Sequence, residues 1–239
     1  MKDLKNLKIS IFADGANVEE MKKAYNLGIV KGFTTNPTLM RKAGVVDYKQ
    51  FAKEVLKEIV DLPISFEVFS DEFDLMEKEA REIFSWGENV NIKIPITNTK
   101  GKSSIPLIEK LSKEGIPLNV TAILTKKQIR GLAKTISKDS KVIISIFAGR
   151  IADTGTDPIP YMEEAVELFR GHKNVEILWA SPRELLNIFQ AEECGCHIIT
   201  VINDILKKNP MVGKDLEELS LETVKMFYND ANNAGYKII

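Results

Sequence analysis

The stretch NVNIKIPITN, residues 89–98, alternates like a buried strand but carries a lysine at its centre. Successive side chains of a strand point to opposite faces. One face of this strand holds Val90, Ile92, Ile94 and Ile96, and the other holds Asn91, Lys93 and Pro95. An ammonium group in apolar surroundings is costly unless it is paired or gives up its proton. The stretch therefore predicts a strand whose lysine either reaches solvent or belongs to a functional site.

Similar short apolar runs recur along the chain, beginning about 25 to 35 residues apart. The eight runs are LKISIFAD, VKGFTTN, PISFEVF, VNIKIPI, IPLNVTAI, KVIISIFAG, VEILWAS and HIITVIN. Stretches with helical periodicity lie between them. They include VEEMKKAYNLG, YKQFAKEVLKEIV, DLMEKEAREIF, KSSIPLIEKLSKEG, KKQIRGLAKTIS and PIPYMEEAVELFRG.

This alternation predicts an α/β fold in which parallel strands are joined by right-handed crossovers. Eight units in 239 residues match a closed (β/α)8 TIM barrel, which typically has about 250 residues. An open doubly wound sheet is the alternative, although no G-x-G-x-x-G or Walker-type loop is present. We predict a single barrel domain over residues 1–239, with residues 213–239 forming an additional C-terminal helical extension.

The composition limits the classes of partner. The chain is 44% hydrophobic and 28% charged with a net charge of −1, so we expect neither a nucleic-acid partner nor an anionic membrane surface. The start MKDLKNLKISIF has no apolar signal core, and no run is long enough to cross a bilayer. We therefore expect a cytoplasmic protein.

The cysteines and histidines are too few for several kinds of site. Cys194 and Cys196 form a lone C-x-C beside His197, and the only other histidine is His172. Buried, reduced thiols are the expected state, and a small Cys/His metal cluster is the alternative. The scarcity of histidine also argues against Ser-His-Asp chemistry and a His-rich catalytic zinc. We expect no metal site.

The same strand parity sends polar side chains into the predicted barrel. They are Asp14, Thr34 and Asn36, Glu67, Lys93, Asn119 and Thr121, and Ser145. Barrel interiors are normally filled by branched apolar side chains, so polar residues near strand ends indicate an active site. Taken singly, Asp14 could instead cap the following helix, and Asn119 could be a hydrogen-bonded core amide. Their convergence on one cavity favours a site.

A lysine in such a site supports one kind of chemistry. Removal from water lowers the pKa of an amine, and a neutral amine attacks a carbonyl to form a Schiff base. The resulting iminium accepts electrons, so a neighbouring C–C bond can break while Asp14 or Glu67 moves protons. This chemistry needs no metal or cofactor. The alternative is that Lys93 only forms a structural ion pair with Asp14 or Glu67.

Four motifs resemble the transaldolase family, in particular the small subfamily that also contains fructose-6-phosphate aldolases. They are GFTTNPTL at 32–39, IKIPIT at 92–97, NVTAI at 119–123 and SIFAGRI at 145–151. The resemblance runs from the first strand to the eighth and implies a barrel with a Schiff-base lysine on strand four, here Lys93.

The resemblance also implies roles for other residues of this chain. Asp14 matches an acid/base aspartate, and Glu67 with Thr121 matches a pair that positions a catalytic water. The substrate-binding set implied in this way is Thr34, Asn36, Asn119, Ser145, Phe147, Arg150, Ser181 and Arg183. Within it, the two asparagines match residues that hold dihydroxyacetone, and Ser145 with Arg150 matches the phosphate side. Arg183 matches a second phosphate arginine through the motif S-P-R at 181–183.

The reaction implied is transfer of a dihydroxyacetone unit between sugar phosphates in the pentose phosphate pathway. Fructose 6-phosphate or sedoheptulose 7-phosphate would donate the unit, and erythrose 4-phosphate or glyceraldehyde 3-phosphate would accept it. A homo-oligomer, pentamer or decamer, with the C-terminal helix reaching a neighbour, is also implied. Two alternatives remain open: a lyase that releases free dihydroxyacetone, and a non-catalytic sugar-phosphate binder. Fructose-6-phosphate aldolases carry glutamine and tyrosine where this chain has Glu67 and Phe147, which favours the transferase.

Overall fold

Eight parallel strands close into a barrel in the computed structural model, which describes residues 4–239. The strands are β1 Ser10–Asp14, β2 Gly32–Thr34, β3 Ile64–Glu67, β4 Val90–Pro95, β5 Leu118–Ile123, β6 Val142–Ile146, β7 Val175–Trp179 and β8 Ile198–Ile202. Each strand pairs with the next along the chain, and β8 closes the ring against β1. The predicted TIM barrel is confirmed, and the open doubly wound sheet is excluded.

Helices alternate with the strands and surround the barrel. They are α1 Val18–Asn26, α2 Pro37–Lys42, α3 Tyr48–Glu58, α4 Phe73–Phe84, α5 Ile105–Lys113, α6 Lys126–Ala133, α7 Ala148–Ala152, α8 Ile159–Phe169, α9 Leu186–Glu193, α10 Asn203–Leu206 and α11 Leu216–Asn233. The six stretches with helical periodicity correspond to α1, α3, α4, α5, α6 and α8. The sequence pattern did not single out α2, α7, α9 or α10.

Polar residues in extended conformation begin several of these helices. Asn17 accepts a hydrogen bond from the Glu20 amide at the start of α1, and Asp47 accepts one from Gln50 at the start of α3. Thr125 and Gln128 form a reciprocal capping box at α6. These side chains satisfy amides that have no partner within the helix. Because Asn17 caps α1, the interpretation of Asp14 as its cap is wrong.

Two apolar regions divide the barrel into an outer and an inner part. The outward faces of the strands pack against the helices, and Ile92 and Ile94 are completely buried there. A smaller inner cluster consists of Phe12, Ile143, Leu178, Ala180 and Ile198, with Phe147 packed against it. On the same strand faces, one step further along, lie Asp14, Ser145 and Thr200. The inner cluster therefore forms an apolar floor beneath polar side chains at the C-terminal end of the barrel.

The C-terminal helix α11 packs very little against the rest of the chain. None of its 18 residues is buried, and several large apolar side chains are exposed. The helix α11 therefore lies outside the strands of the barrel and the helices packed around them. Across residues 4–239, no helix combines the length and the apolar character needed to cross a membrane.

Candidate active site

A cavity of about 340 Å³ lies at the C-terminal end of the strands. Ten of the predicted site residues line it: Asp14, Thr34, Asn36, Glu67, Lys93, Thr121, Ser145, Phe147, Arg150 and Ser181. The other two predicted residues, Asn119 and Arg183, lie elsewhere. In TIM barrels the C-terminal end carries the active site, because the side chains that end the strands converge there. The structure therefore brings most of the predicted set together in one place.

Lys93 does not reach solvent. The residue is 6% exposed, and its Nζ donates to the Thr35 carbonyl oxygen at 2.9 Å. The same Nζ lies 3.2 Å from Oε2 of Glu67. Glu67 is the residue directly across the β3–β4 ladder from Lys93. Strand register alone thus places an amine beside a carboxylate, and because both side chains are largely buried, their charge interaction is stronger than it would be in water.

Asp14 faces the same cavity from the end of β1. Its Oδ1 accepts a hydrogen bond from Thr34 Oγ1 at 2.8 Å, and Asn36 Nδ2 lies 3.4 Å from Oδ2. Burial raises the pKa of the Asp14 carboxyl above its ordinary value, and this effect exceeds the opposing influences of Lys93, Thr34 and Asn36. A carboxyl whose pKa is raised toward neutrality can both take up and return a proton.

The hydroxyl of Thr200 orients the Thr34 hydroxyl, which in turn donates to Asp14. The Oγ1 atoms of Thr34 and Thr200 are 2.5 Å apart. Because Thr34 gives its one proton to Asp14, Thr200 must be the donor between the two threonines. Thr200 was missed by the sequence analysis. Strand parity could have identified it, because Thr200 lies on the same face of β8 as Ile198, whose side chain belongs to the inner cluster.

Asn119 lies beneath the cavity rather than on its wall. The residue is fully buried, its Nδ2 donates to Ser65 Oγ at 3.0 Å, and its Oδ1 accepts from Ser145 Oγ at 2.6 Å. Both ends of the amide are therefore occupied within the protein. Asn119 meets the cavity through Ser145, which does line it. This geometry matches the interpretation of Asn119 as a hydrogen-bonded core amide.

The wall beside Lys93 contains an irregular part of β5. The β5–β6 register shifts between Val120 and Ile123, and Ala122 has a φ of 60°. A positive φ is unfavourable for a residue with a side chain, and such strain is concentrated at functional sites. Next to it, the Thr121 hydroxyl is buried and has no hydrogen-bond partner among the described residues. Thr121 lines the cavity, and its hydroxyl, although almost wholly covered, leaves both its donor and its acceptor unused within residues 4–239.

Arg150, which follows β6, brings positive charge to the cavity lining. The Arg150 guanidinium lies 5.6 Å from the centre of the Phe147 ring, and Ser181 has a φ of 59°. Arg183 is directed away from this cavity: its Nε donates to Asp153 Oδ1 at 2.9 Å. The same arginine lowers the pKa of the Asp153 carboxyl. One arginine therefore faces the cavity while the second is held outside it by a carboxylate.

Several lining residues were not among the predicted site residues. They are Pro37, Thr38 and Leu39 from the first turn of α2, together with Ala122, Ala180 and Thr200. The α2 residues follow Asn36, whose Oδ1 accepts from the Leu39 amide at 3.0 Å and so fixes the start of that helix. Asn36 thereby has a structural task in addition to its place in the cavity.

The cysteine pair lies away from the cavity. Cys194 and Cys196 are both buried free thiols. Burial raises the pKa of Cys194 to about 11, which makes its thiolate scarce at neutral pH. Within residues 4–239, no group of three or more His, Cys, Asp or Glu side chains is arranged to hold a metal ion.

Comparison with known proteins gives a consistent result. The family model for transaldolase/fructose-6-phosphate aldolase matches residues 11–238. A probable transaldolase from Thermoanaerobacter sp. (strain X514) is 38% identical over 231 residues, which cover 96% of this chain and 100% of that protein. A probable transaldolase from Caldicellulosiruptor saccharolyticus is 38% identical over 216 residues, or 90% and 94% of the two chains.

Solved structures extend the comparison at the level of fold. The crystal structure of dihydrodipicolinate synthase from Rhodopseudomonas palustris superposes with a TM-score of 0.54 at 14% identity, covering 92% of this chain and 80% of that one. At this identity the likeness concerns the barrel alone.

Proposed function

Since the chain belongs to the transaldolase/fructose-6-phosphate aldolase family, we propose that it transfers a dihydroxyacetone unit between sugar phosphates through a Schiff base on Lys93. The observation that carries this proposal is the buried Lys93 amine, held by the Thr35 carbonyl and paired with Glu67 inside the cavity. A structural ion pair alone would not need the surrounding hydroxyls, the strained β5 turn or a cavity that holds a small molecule.

The first chemical stage joins Lys93 to the donor. Glu67 lies next to the ammonium and accepts its proton, which leaves a neutral amine to attack the C2 carbonyl of a ketose phosphate. Loss of the C2 oxygen as water then gives the iminium. Thr121 supports this step, because its hydroxyl has no partner among the described residues, and rotation of the side chain would let it hold that water together with Glu67.

The second stage breaks the C3–C4 bond. Asp14 takes the proton of the C4 hydroxyl, the aldose phosphate leaves, and the bonding electrons move into the iminium to form an enamine. The enamine carbon then attacks the aldehyde of an acceptor, and Asp14 returns the proton to the new hydroxyl. The raised pKa of Asp14 suits both directions. Hydrolysis of the final iminium restores the amine.

We orient the substrate by the residues that line the two ends of the cavity. We assign Thr34 and Asn36 to the dihydroxyacetone end. The resemblance puts Ser145 on the phosphate side, but its hydroxyl is bonded to Asn119, which matches a residue that holds dihydroxyacetone, so we assign Ser145 to that end instead. Arg150 and Ser181 face the other end and suit a phosphate. Arg183 would contribute only after leaving Asp153.

Phe147 favours transfer over release of free dihydroxyacetone. A transferase must keep the enamine unprotonated until an aldehyde arrives, whereas a lyase must protonate and hydrolyse it. The Phe147 side chain packs against the apolar floor and offers no hydroxyl to organise water on that side. A fructose-6-phosphate aldolase remains the second candidate, because the family includes both activities.

We also propose that the chain forms a homo-oligomer in which α11 contacts a neighbouring subunit. This assembly rests on the family resemblance and on the exposed apolar side chains of α11, among them Val224 and Phe227. Large exposed apolar surfaces of this kind mark interaction sites.

The proposed function is tested by trapping the intermediate. Borohydride with fructose 6-phosphate should add a three-carbon adduct to Lys93, because it reduces the Schiff base that remains after cleavage. Lys93→Met should abolish both the adduct and turnover. Lys100→Met is the matched control, since Lys100 is exposed, pairs with Glu72 at 2.6 Å and does not line the cavity. The readout is the mass of the labelled peptide; an adduct on another lysine would contradict the proposal.

The same incubation separates the two candidate activities. Without an acceptor, little dihydroxyacetone should form, and with erythrose 4-phosphate the three-carbon unit should appear in sedoheptulose 7-phosphate. Rapid release of dihydroxyacetone, unaffected by the acceptor, would favour the aldolase instead.

A further inference from the structure

The hydrogen-bond ladder between β2 and β3 stops one step short of Glu67. Two bonds establish its regular course: Phe33 N–H donates to the Pro63 carbonyl at 2.8 Å, and Thr35 N–H donates to the Ser65 carbonyl at 3.2 Å. In a regular parallel ladder the next two bonds join Glu67 N–H to the Thr35 carbonyl and the N–H of residue 37 to the Glu67 carbonyl.

Neither of these bonds forms. Residue 37 is a proline and has no N–H to donate. The Thr35 carbonyl is used by Lys93, whose Nζ donates to it at 2.9 Å. The β2–β3 ladder therefore lacks two hydrogen bonds at the point where Lys93 and Glu67 meet. As a result, the backbone N–H and the carbonyl of Glu67 need other partners.

Tyr48 supplies both partners with one hydroxyl. Its Oη accepts from Glu67 N–H at 2.7 Å and donates to the Glu67 carbonyl at 3.0 Å. Tyr48 is the first residue of α3, and its ring packs against Phe69 and Trp86 with centroid distances of 4.6 and 5.4 Å. Burial raises the pKa of the Tyr48 hydroxyl, so it stays a phenol that can both donate and accept.

We propose that Tyr48 is a positioning residue for Schiff-base formation: it replaces the missing β2 edge, fixes Glu67 beside Lys93, and leaves the Thr35 carbonyl free to hold the amine. This inference rests on the proposed function, since it concerns the roles of Lys93 and Glu67. Tyr48 does not line the active-site cavity and so acts through these residues.

Removal of the hydroxyl has a specific expected consequence. In Tyr48→Phe, Glu67 N–H loses its acceptor, and the carbonyl that a regular ladder would give it is the one that Lys93 uses. Competition for the Thr35 carbonyl then displaces both the amine and the carboxylate. The rate of borohydride trapping at saturating fructose 6-phosphate should fall about 10- to 100-fold, in keeping with the effect of small misplacements on a reacting pair.

Tyr25→Phe is the matched control. It also removes a phenol hydroxyl with one strong hydrogen bond, to Asp61 Oδ1 at 2.8 Å, but at a site on α1 remote from the cavity. Trapping by this variant should match the unmodified protein. 4-Aminophenylalanine at position 48 keeps a donor for the Glu67 carbonyl and a weaker nitrogen acceptor for Glu67 N–H, so it should restore part of the rate.

A double-mutant cycle separates positioning from general loss of structure. Glu67→Ala removes the carboxylate but keeps the backbone groups of residue 67, so Tyr48→Phe should slow trapping more in the unmodified background than in a Glu67→Ala background, where only displacement of the amine remains. Rates are measured well below the melting temperature of each variant. A purely structural role predicts equal losses in both backgrounds.

Each outcome of these experiments either supports or overturns the proposed role of Tyr48. Slower trapping by Tyr48→Phe that is clearly reduced in the Glu67→Ala background supports the proposal. Trapping by Tyr48→Phe at the unmodified rate, equal losses in both backgrounds, or failure to fold of both position-48 variants would overturn it, while Lys93 labelling in the unmodified protein would leave the proposed function standing. Absence of Lys93 labelling in the unmodified protein would overturn the proposed function, and this inference with it.

Discussion

We expect the Asp14 carboxylate to support turnover but to lower the stability of the folded chain. Its pKa in the folded chain is raised, mainly by burial, so the folded state keeps the proton over a pH range in which the unfolded chain has lost it. The contribution of this group to the free energy of unfolding is therefore complete at acid pH, below the unfolded pKa. It is lost as the pH rises through the folded value. Above that value the cavity holds a carboxylate whose burial disfavours folding.

Asp14→Asn should therefore separate the two properties. The amide keeps the shape of the side chain and removes the buried charge, so at neutral pH the melting temperature should equal or exceed that of the unmodified protein. This advantage should shrink as the pH falls and Asp14 becomes protonated. Turnover should decrease by roughly 10²–10⁴-fold, the usual contribution of a general acid/base. Melting curves over a pH series and a coupled transfer assay measure both effects.

The exposed Asp139 provides a control for this substitution. Asp139→Asn should leave turnover unchanged. If Asp14→Asn instead lowered the melting temperature at neutral pH and left the rate intact, the carboxylate would be a structural group.

Strand alternation explains which site residues were predictable. Lys93, Glu67 and Asp14 sit on strands, so parity alone fixes the side to which they point. Tyr48 sits on a helix, and no periodic pattern indicates that its hydroxyl reaches the backbone of a neighbouring strand. The position of Arg183 depends on a pairing with Asp153 between two connecting segments, which strand parity does not describe.

At the scale of elements, α7 approaches the segment after β7 closely. A Cβ added to Gly149 would lie 1.5 Å from the Ser181 carbonyl oxygen. The Gly149 amide also donates to the Ala180 carbonyl at 3.2 Å. Only glycine permits this approach, and it brings Arg150 and Ser181 to the same side of the cavity.

Gly149→Ala should consequently be among the more harmful small substitutions. The clash involves backbone rather than a mobile side chain, so the segment carrying Ser181 must move. Overpacking of this kind costs about 1–3 kcal/mol or more. For a chain of this size we expect the melting temperature to fall by about 5–10 °C. Phosphate-dependent binding should weaken at the same time, which a KM measurement with fructose 6-phosphate detects.

Gly131→Ala is the matched control within another helix. Its added Cβ would meet only the end of the Ile105 side chain, at 2.9 Å, and that methyl group can rotate away. Helix propensity favours alanine over glycine by about 1 kcal/mol, so this variant should be neutral or more stable. Equal destabilisation by the two substitutions would show that the close approach of α7 is unimportant.

Element length explains what the sequence pattern missed in the fold. The strands are short but strongly apolar, and their regular spacing identifies a barrel. By contrast, α2 and α7 have 6 and 5 residues, fewer than two helical turns, and cannot display a helical period. Both follow strands that carry a site residue at or near their end, so these two short helices lie beside the cavity.

On the scale of the whole molecule, stability and chemistry occupy different layers. The interface between strands and helices contains most buried apolar side chains and excludes water. The inner cluster is small and serves mainly as a floor for the polar cavity. Most site residues can therefore change without altering the main core, which explains how one barrel architecture supports unrelated activities.

The helix α11 lies outside both layers, and its exposed apolar face needs a separate explanation. Leu221, Val224 and Tyr228 occupy positions i, i+3 and i+7, so they share one face, with exposures of 53%, 61% and 69%. Burial of each large side chain in a subunit interface would contribute about 1.5–3 kcal/mol. If α11 docks on a neighbouring subunit, this face is where the contact forms.

Val224→Glu combined with Tyr228→Glu should therefore weaken assembly more than 100-fold, equivalent to about 3 kcal/mol. Two carboxylates at a buried contact lose hydration without gaining partners, whereas in an isolated subunit they remain in water. Sedimentation velocity over a concentration series should show the unmodified chain as an oligomer and the double variant as smaller species. Asn229→Glu with Asn233→Glu adds the same charge on another side of α11 and should leave assembly intact. A monomeric unmodified chain, or equal disruption by both pairs, would contradict the assignment of this face, because either result would mean that its apolar side chains gain no specific partner.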